Sequence, residues 1–312
     1  MSRVLRIRAF VAFGLVFAAS AAFAAMPPQS PFELALTFDD LPVHGGLPKG
    51  MTRAGIAATL VKALQGAHAP PAYGFVNAIG LEREPDSGAA LQVWRSAGFF
   101  LGNHTWSHMD LDQNSTQAFE SEITKNEPAL SAYAGDSDWH WFRFPFLHEG
   151  STSAKQDAIR AFLSARGYRI AEVTYSADDW AYSDAYARCT LKGDKESIDW
   201  MTRTYLKSIV DNVAASREEA RLAMGRDVKH VALFHIGGFT AAMMPEALAL
   251  MRAHGVKFIS LEDAESDPVY AEGAKLPAAA GGALLDRIIG AKGKSWPNHP
   301  ETPVAKLNSL CH

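Results

Sequence analysis

Two adjacent carboxylates, Asp39-Asp40, end an apolar run at Glu33–Phe38, and two histidines four residues apart, His104 and His108, follow another at Phe99–Asn103. A helical turn or a tight loop can aim both imidazoles at one ion. Two histidines and one carboxylate leave open positions on a divalent metal, as a catalytic site requires. The aspartate pair then offers both one ligand and one base for an attacking water, while the metal polarises a carbonyl. Taken singly, each motif has an ordinary use: the histidines at a helix start, the aspartates in a solvated loop. Their placement after neighbouring strands is what points to a metal centre.

Three further groups fall at strand ends. Arg143 lies in the apolar stretch Trp139–Leu147, where an unpaired guanidinium would be costly, so a carboxylate partner is expected. Pairing with the base aspartate would hold that group ionised and oriented. His235 closes Val231–Phe234. A lone histidine in such a run is commonly a satisfied core residue. Facing a metal from a strand end, it is instead placed as a general acid for a leaving amine, with Asp179 fixing its tautomer.

The elements that must carry these residues alternate short β-like runs with helical periodicity, the pattern of an α/β fold. Strands are read at Glu33–Phe38, Ala72–Val76, Phe99–Asn103, Trp141–Phe144, Arg169–Thr174, Val231–Phe234 and Lys257–Ser260. Helical faces are read at Ile56/Leu60/Leu64, Leu91/Trp94, Ala158/Phe162/Ala165, Trp200–Met224 and Met244–His254. The long connection Asp39–Met51 follows the first strand. Polar clusters after several strands of a parallel sheet converge on its C-terminal face, where such folds keep their sites.

Together these motifs resemble the polysaccharide deacetylases of carbohydrate esterase family 4. The likeness rests on Thr37-Phe38-Asp39-Asp40, His-Thr-x-x-His at 104–108, Arg143-Phe144-Pro145-Phe146, Asp179-Trp180 and Leu233-Phe234-His235, in the family's order. It implies a distorted (β/α) barrel with about seven parallel strands. By position it implies Asp39 as base, oriented by Arg143, and Asp40, His104 and His108 as metal ligands. The backbone N–H of Phe146 would meet the oxyanion, and Trp180 and Leu233 would line the acetyl methyl pocket. His235, supported by Asp179, would protonate the departing amine. The implied cofactor is a divalent metal, Zn²⁺ by preference, with Co²⁺ or Ni²⁺ as alternatives.

The implied substrate is an N-acetylated glycan of chitin, peptidoglycan or exopolysaccharide type, deacetylated with release of acetate. The alternatives are a non-catalytic glycan-binding protein on the same fold and a small-molecule amide hydrolase. The chain departs from the family pattern in three places. Leu41-Pro42 and a His44-Gly45-Gly46 loop stand where glycine usually follows the aspartate pair. Phe146-Leu147 replaces Tyr-Gly, and Ile236 replaces the aspartate after His235. His44, Trp106, His148 and Glu149 lie near the expected mouth, as candidates for sugar contact.

Composition bounds the remainder. Residues 1–24 read as a signal peptide: Arg3, Arg6 and Arg8, an apolar run at Ala9–Ala19, and Ala22-Phe23-Ala24 as cleavage site. That run is shorter than a comfortable membrane span, so stable insertion is not expected after cleavage. The implied location is periplasmic or secreted. Residues 31–263 read as the catalytic domain and 264–312 as a C-terminal tail packed on it. The net charge of −4, with no basic stripe, argues against a nucleic-acid partner. The two cysteines, Cys189 and Cys311, suit one disulfide in an oxidising compartment, with two unrelated buried thiols as the alternative.

Overall fold

The structure, a computed structural model, describes residues 30–84, 86–278, 281–297 and 300–312; the expected signal peptide lies outside these. One sheet holds eight strands: β1 (Phe32–His44), β2 (Tyr73–Val76), β3 (Phe100–Asn103), β4 (Trp141–Phe142), β5 (Arg169–Ile170), β6 (Tyr175–Ser176), β7 (His230–Gly237) and β8 (Val256–Ile259). Every pairing among them is parallel, in the order β5-β4-β3-β2-β1-β7-β6, with β8 also on β1.

β1 is the central stave. Its residues are buried almost throughout, as a parallel strand covered on both faces requires. β7 and β8 both pair with Leu34 and Ala35, so they occupy opposite edges. β8 therefore shares its edge with β2, which takes β1 from Thr37 onward.

The sequence reads a single strand at Arg169–Thr174. Only Arg169–Ile170 of that stretch is strand (β5), and β6 begins just past it at Tyr175, because the chain changes partner. Ala171 N–H still bonds Phe142 O of β4 (2.8 Å), whereas Thr174 N–H bonds Val231 O of β7 (3.0 Å). Between them the carbonyls of Ala171 and Val173 are taken by Arg143 Nε and Leu284 N–H, both at 2.7 Å. One segment thus joins the two ends of the ladder, and the sheet curls into a distorted (β/α) barrel.

The helices are α1 (Arg53–Gly66), α2 (Ile79–Arg83), α3 (Ser87–Ser96), α4 (Thr116–Ala134), α5 (Ser153–Ala165), α6 (Trp180–Lys192), α7 (Lys195–Met224), α8 (Gly238–Ala253), α9 (Leu261–Glu265), α10 (Pro268–Gly273), α11 (Leu284–Ala291) and α12 (Val304–Ser309). α1 starts where Thr52 Oγ1 accepts from Gly55 N–H, and it buries Ile56, Ala57, Leu60, Val61 and Leu64 on one face. α7 begins at Lys195, five residues before the expected Trp200, because Asp194 caps it by accepting from Ser197 N–H at 3.0 Å. Among the described residues no helix is long and apolar enough to cross a membrane.

Alternation along β1 and β7 divides core from chemistry. Leu34, Leu36 and Phe38, with Ala232, Phe234 and Ile236, enter the large apolar cluster that also holds residues of α1, α3, α7 and α8. The opposite face carries Ala35, Thr37 and Asp39 on β1, and Val231, Leu233 and His235 on β7. Asp39 and His235 therefore stand side by side toward the C-terminal end of that face. After residue 264, α11 buries Leu284, Leu285, Ile288 and Ile289 against α7. Cys189 of α6 and Cys311 form a disulfide that ties the C-terminal end to the body.

Candidate metal and catalytic site

Asp39 follows the alternation and points into the barrel mouth. Strict alternation would send Asp40 to the other face. Instead Asp40 takes a positive φ of 64°, and the β1–β7 register shifts between Asp39 and His44. This bulge turns two successive carboxylates into one cavity. β1 then resumes pairing at His44, opposite Gly237, so the expected loop Asp39–Met51 is strand for nearly its first half.

The His104–His108 segment is a tight loop with positive φ at Thr105 (62°) and His108 (59°). Asparagines at the preceding strand ends brace it. Asn77 Nδ2 donates to the carbonyls of His104 and Thr105, and Asn103 Oδ1 accepts from Thr105 N–H. His104 Nδ1 lies 2.8 Å from Arg143 O, which fixes the tautomer and turns Nε2 inward.

The ligand geometry is specific. Asp40 Oδ1 stands 3.6 Å from His104 Nε2 and 3.6 Å from His108 Nε2. A tetrahedral ion bound at about 2.1 Å sets its ligand atoms roughly 3.4 Å apart. The same oxygen is buried without a hydrogen bond, a cost that an ion between these three atoms would remove. Burial pushes both histidines down to about 4, so they are neutral and able to ligate near pH 7. Burial also opposes ionisation of Asp40. The hydrogen bond from His44, joined at low pH by the charges that His104 and His108 then carry, outweighs it and holds this carboxyl below the usual range.

Arg143 stands behind Asp39, buried to 1% exposure. Its Nη1 lies 3.2 Å from Asp39 Oδ1 and 3.3 Å from Oδ2, while Nη2 donates to Thr37 Oγ1 at 2.9 Å. Burial pushes the Asp39 pKa up, with Arg143 opposing it only in part. Across the cavity, Asp179 accepts from His235 N–H at 2.8 Å and lies 2.9 Å from His235 Nδ1. Burial works against a charged His235, but Asp179, aided by Asp40 and Asp39, pushes its pKa up to about 9.

Asp39, Asp40, His104, His108, Phe146, Trp180, Leu233 and His235 all line one cavity of about 630 Å³, with Arg143 and Asp179 packed behind it. Phe146 has a positive φ of 58°, and its N–H meets no acceptor among the described residues. Ala283 and Asp286, from the start of α11, complete the wall.

Of the residues weighed as sugar contacts, His44 and His148 line the cavity. Trp106 instead lies under Lys125, whose Nζ is 3.0 Å from the ring centre. Glu149 belongs to a buried ion network with Arg160, Arg287 and Glu172. Sequence reasoning missed the principal contact of His44: its Nδ1 lies 2.6 Å from Asp40 Oδ2, the oxygen not facing the two histidines. The signal was the departure itself, the His44-Gly45-Gly46 loop that follows Leu41-Pro42.

Residues 27–177 match the family model described as Polysaccharide deacetylase. Over that stretch the chain is similar to the polysaccharide deacetylase family. Among solved structures, it is similar to a chitin deacetylase from the fungal pathogen Colletotrichum lindemuthianum, at 19% identity over 77% of this chain and 89% of that one, with a TM-score of 0.49. A family 4 carbohydrate esterase from Streptomyces lividans is 19% identical over 75% of this chain and 95% of that one, at 0.46. The peptidoglycan deacetylase PdaC from Bacillus subtilis is 18% identical over 80% of this chain and 97% of that one, at 0.47.

Proposed function

We propose that the chain is an exported, metal-dependent hydrolase that removes N-acetyl groups from an amino-sugar polysaccharide or oligosaccharide, releasing acetate and a free amine. The observation that carries this reading is the orphaned Asp40 Oδ1 flanked by His104 and His108, with Asp39 and His235 lining the same cavity. A divalent ion held by Asp40, His104 and His108, zinc by preference and cobalt or nickel as alternatives, would supply Lewis-acid polarisation of the amide carbonyl.

The chain's own groups do the rest. Asp39, kept in place by Arg143, takes a proton from the attacking water as the C–O bond forms. Its raised pKa makes it a better acceptor than an exposed aspartate. The N–H of Phe146 donates to the developing oxyanion. His235, protonated near neutral pH, gives its proton to the leaving nitrogen as the C–N bond breaks. Trp180 and Leu233 flank the acetyl methyl. The Cys189–Cys311 disulfide supports an oxidising compartment outside the cytosol.

A bounded cavity of about 630 Å³ is also of a size that takes small molecules, so a small amide is the second reading. Acetate release from a panel of N-acetylated glycans and small amides, before and after chelation with zinc added back, decides between them. Asp39→Asn and His235→Ala are expected to keep the fold and bound metal but lose roughly 10²–10⁴-fold in rate. Glycan deacetylation that survived both substitutions would overturn the assignment of roles.

A further inference from the structure

A second cluster of ligating side chains stands apart from the one above. Asp110, Asp112 and His148 bring one donor atom each within 4.8 Å of one another. His148 Nδ1 lies 2.8 Å from Asp110 Oδ1 and 3.8 Å from Asp112 Oδ2. The Asp112 side chain is only 7% exposed, and its Oδ1 is buried without a hydrogen bond. A carboxylate in that condition, beside a second one, is costly unless a positive charge or a strong donor meets it.

The neighbouring ammonium does not fill this need. Lys155 Nζ is spent on the carbonyls of Leu111, Asp112 and Asn114, at 3.0, 3.0 and 2.8 Å, and among the described residues it makes no ion pair with either aspartate. The deficit lies on Asp112 Oδ1, and the other oxygen of the same carboxylate, Oδ2, stands 3.8 Å from His148 Nδ1. Two carboxylates and one imidazole form a donor set suited to a divalent first-row cation.

We propose that Asp110, Asp112 and His148 bind a second divalent cation, distinct from the ion at Asp40, His104 and His108. Asp110 lies two residues after His108, and His148 two residues after Phe146. A cation there ties the loop carrying one histidine ligand to the loop carrying the free N–H. The rings of His108 and Phe146, 4.4 Å apart, already touch across the same two loops. The inference does not depend on the deacetylase reading, since it is tested by metal content alone.

The experiment titrates Mn²⁺ into the metal-stripped full chain and counts tightly bound ions. Two per chain are expected for the unaltered protein, one for Asp112→Asn and one for Asp40→Asn. A single ion that Asp112→Asn leaves in place would overturn the proposal, as would two ions that survive it. Melting temperature gives an independent reading. Without metal, Asp112→Asn relieves a buried unbonded charge and is expected to melt higher than the unaltered protein; with saturating Mn²⁺ the order is expected to reverse. A variant that melts higher under both conditions would show that no cation is held there.

Discussion

Replacing His44 by alanine tests how the Asp40 carboxylate is held. In the folded chain His44 Nδ1 sits 2.6 Å from Asp40 Oδ2, a short hydrogen bond to a charged acceptor. It anchors one oxygen and leaves Oδ1 facing His104 and His108. Removing an outer-shell partner of this kind weakens metal binding by about 10–100-fold. The pair is partly open to water, with side-chain exposures of 24% for His44 and 15% for Asp40. Solvent can therefore replace part of the lost bond, which places the expected loss near the lower end, about tenfold or about 1.4 kcal/mol. Competition against a chromophoric chelator at fixed pH measures it. His44→Gln, which keeps an N–H donor, is expected to recover part of the affinity. An unchanged metal affinity in His44→Ala, together with a raised KM for glycan, would refute this account and make His44 a sugar contact.

Four other outcomes are expected. The pH profile of kcat/KM should rise as Asp39 loses its proton and fall as His235 loses its own near pH 9, because the base works deprotonated and the acid protonated. Asp179→Asn removes the main group raising His235, so the falling limb should move to lower pH; a limb that stays in place would assign it to another group. Arg143→Met leaves the fully buried Asp39 uncompensated and should cost roughly 3–5 kcal/mol, read as a shift in the denaturant midpoint. Cys311→Ser opens a loop spanning 122 residues and should cost about 2–5 kcal/mol by the same assay, with equal loss on reducing the unaltered protein.

The strands and the site were legible for one reason. Residues 34–38 and 231–234 are largely apolar runs, each closed by a polar residue, Asp39 and His235, at its C-terminal end. What escaped reading lacks that pattern. α4 was not read as a helix because its buried face, Phe119, Ile123, Asn126, Leu130 and Ala134, includes an asparagine, and Pro128 lies within it. Asn126 is nonetheless integral, since it accepts from Ala78 N–H and donates to Val76 O beneath the His104 loop. α6 was missed because its N-terminus carries Asp179 and Trp180, which read as site residues. β6 escaped because a change of pairing partner is set by Arg143 and Leu284, which are distant in sequence.

The positive φ of Asp40 has no signature in composition or spacing, yet the chemistry depends on it. Two aspartates adjacent in sequence face the same cavity but meet opposite surroundings. Asp39 is enclosed, with one guanidinium that only partly offsets its burial, and its affinity for a proton rises. Asp40 meets His44 on one oxygen and His104 and His108 on the other, and its affinity for a proton falls. A base must be able to take a proton and a metal ligand must refuse one, so environment alone divides the two roles between identical side chains. A simple strand would have placed them on opposite faces, one in the mouth and one among the helices. The bulge after Asp39 therefore sets the proposed base beside the proposed metal ligand. Two contacts beside it, His44 against Asp40 and Gly46 N–H on Asp184 Oδ1 of α6 at 2.8 Å, start from the segment that departs from the family pattern.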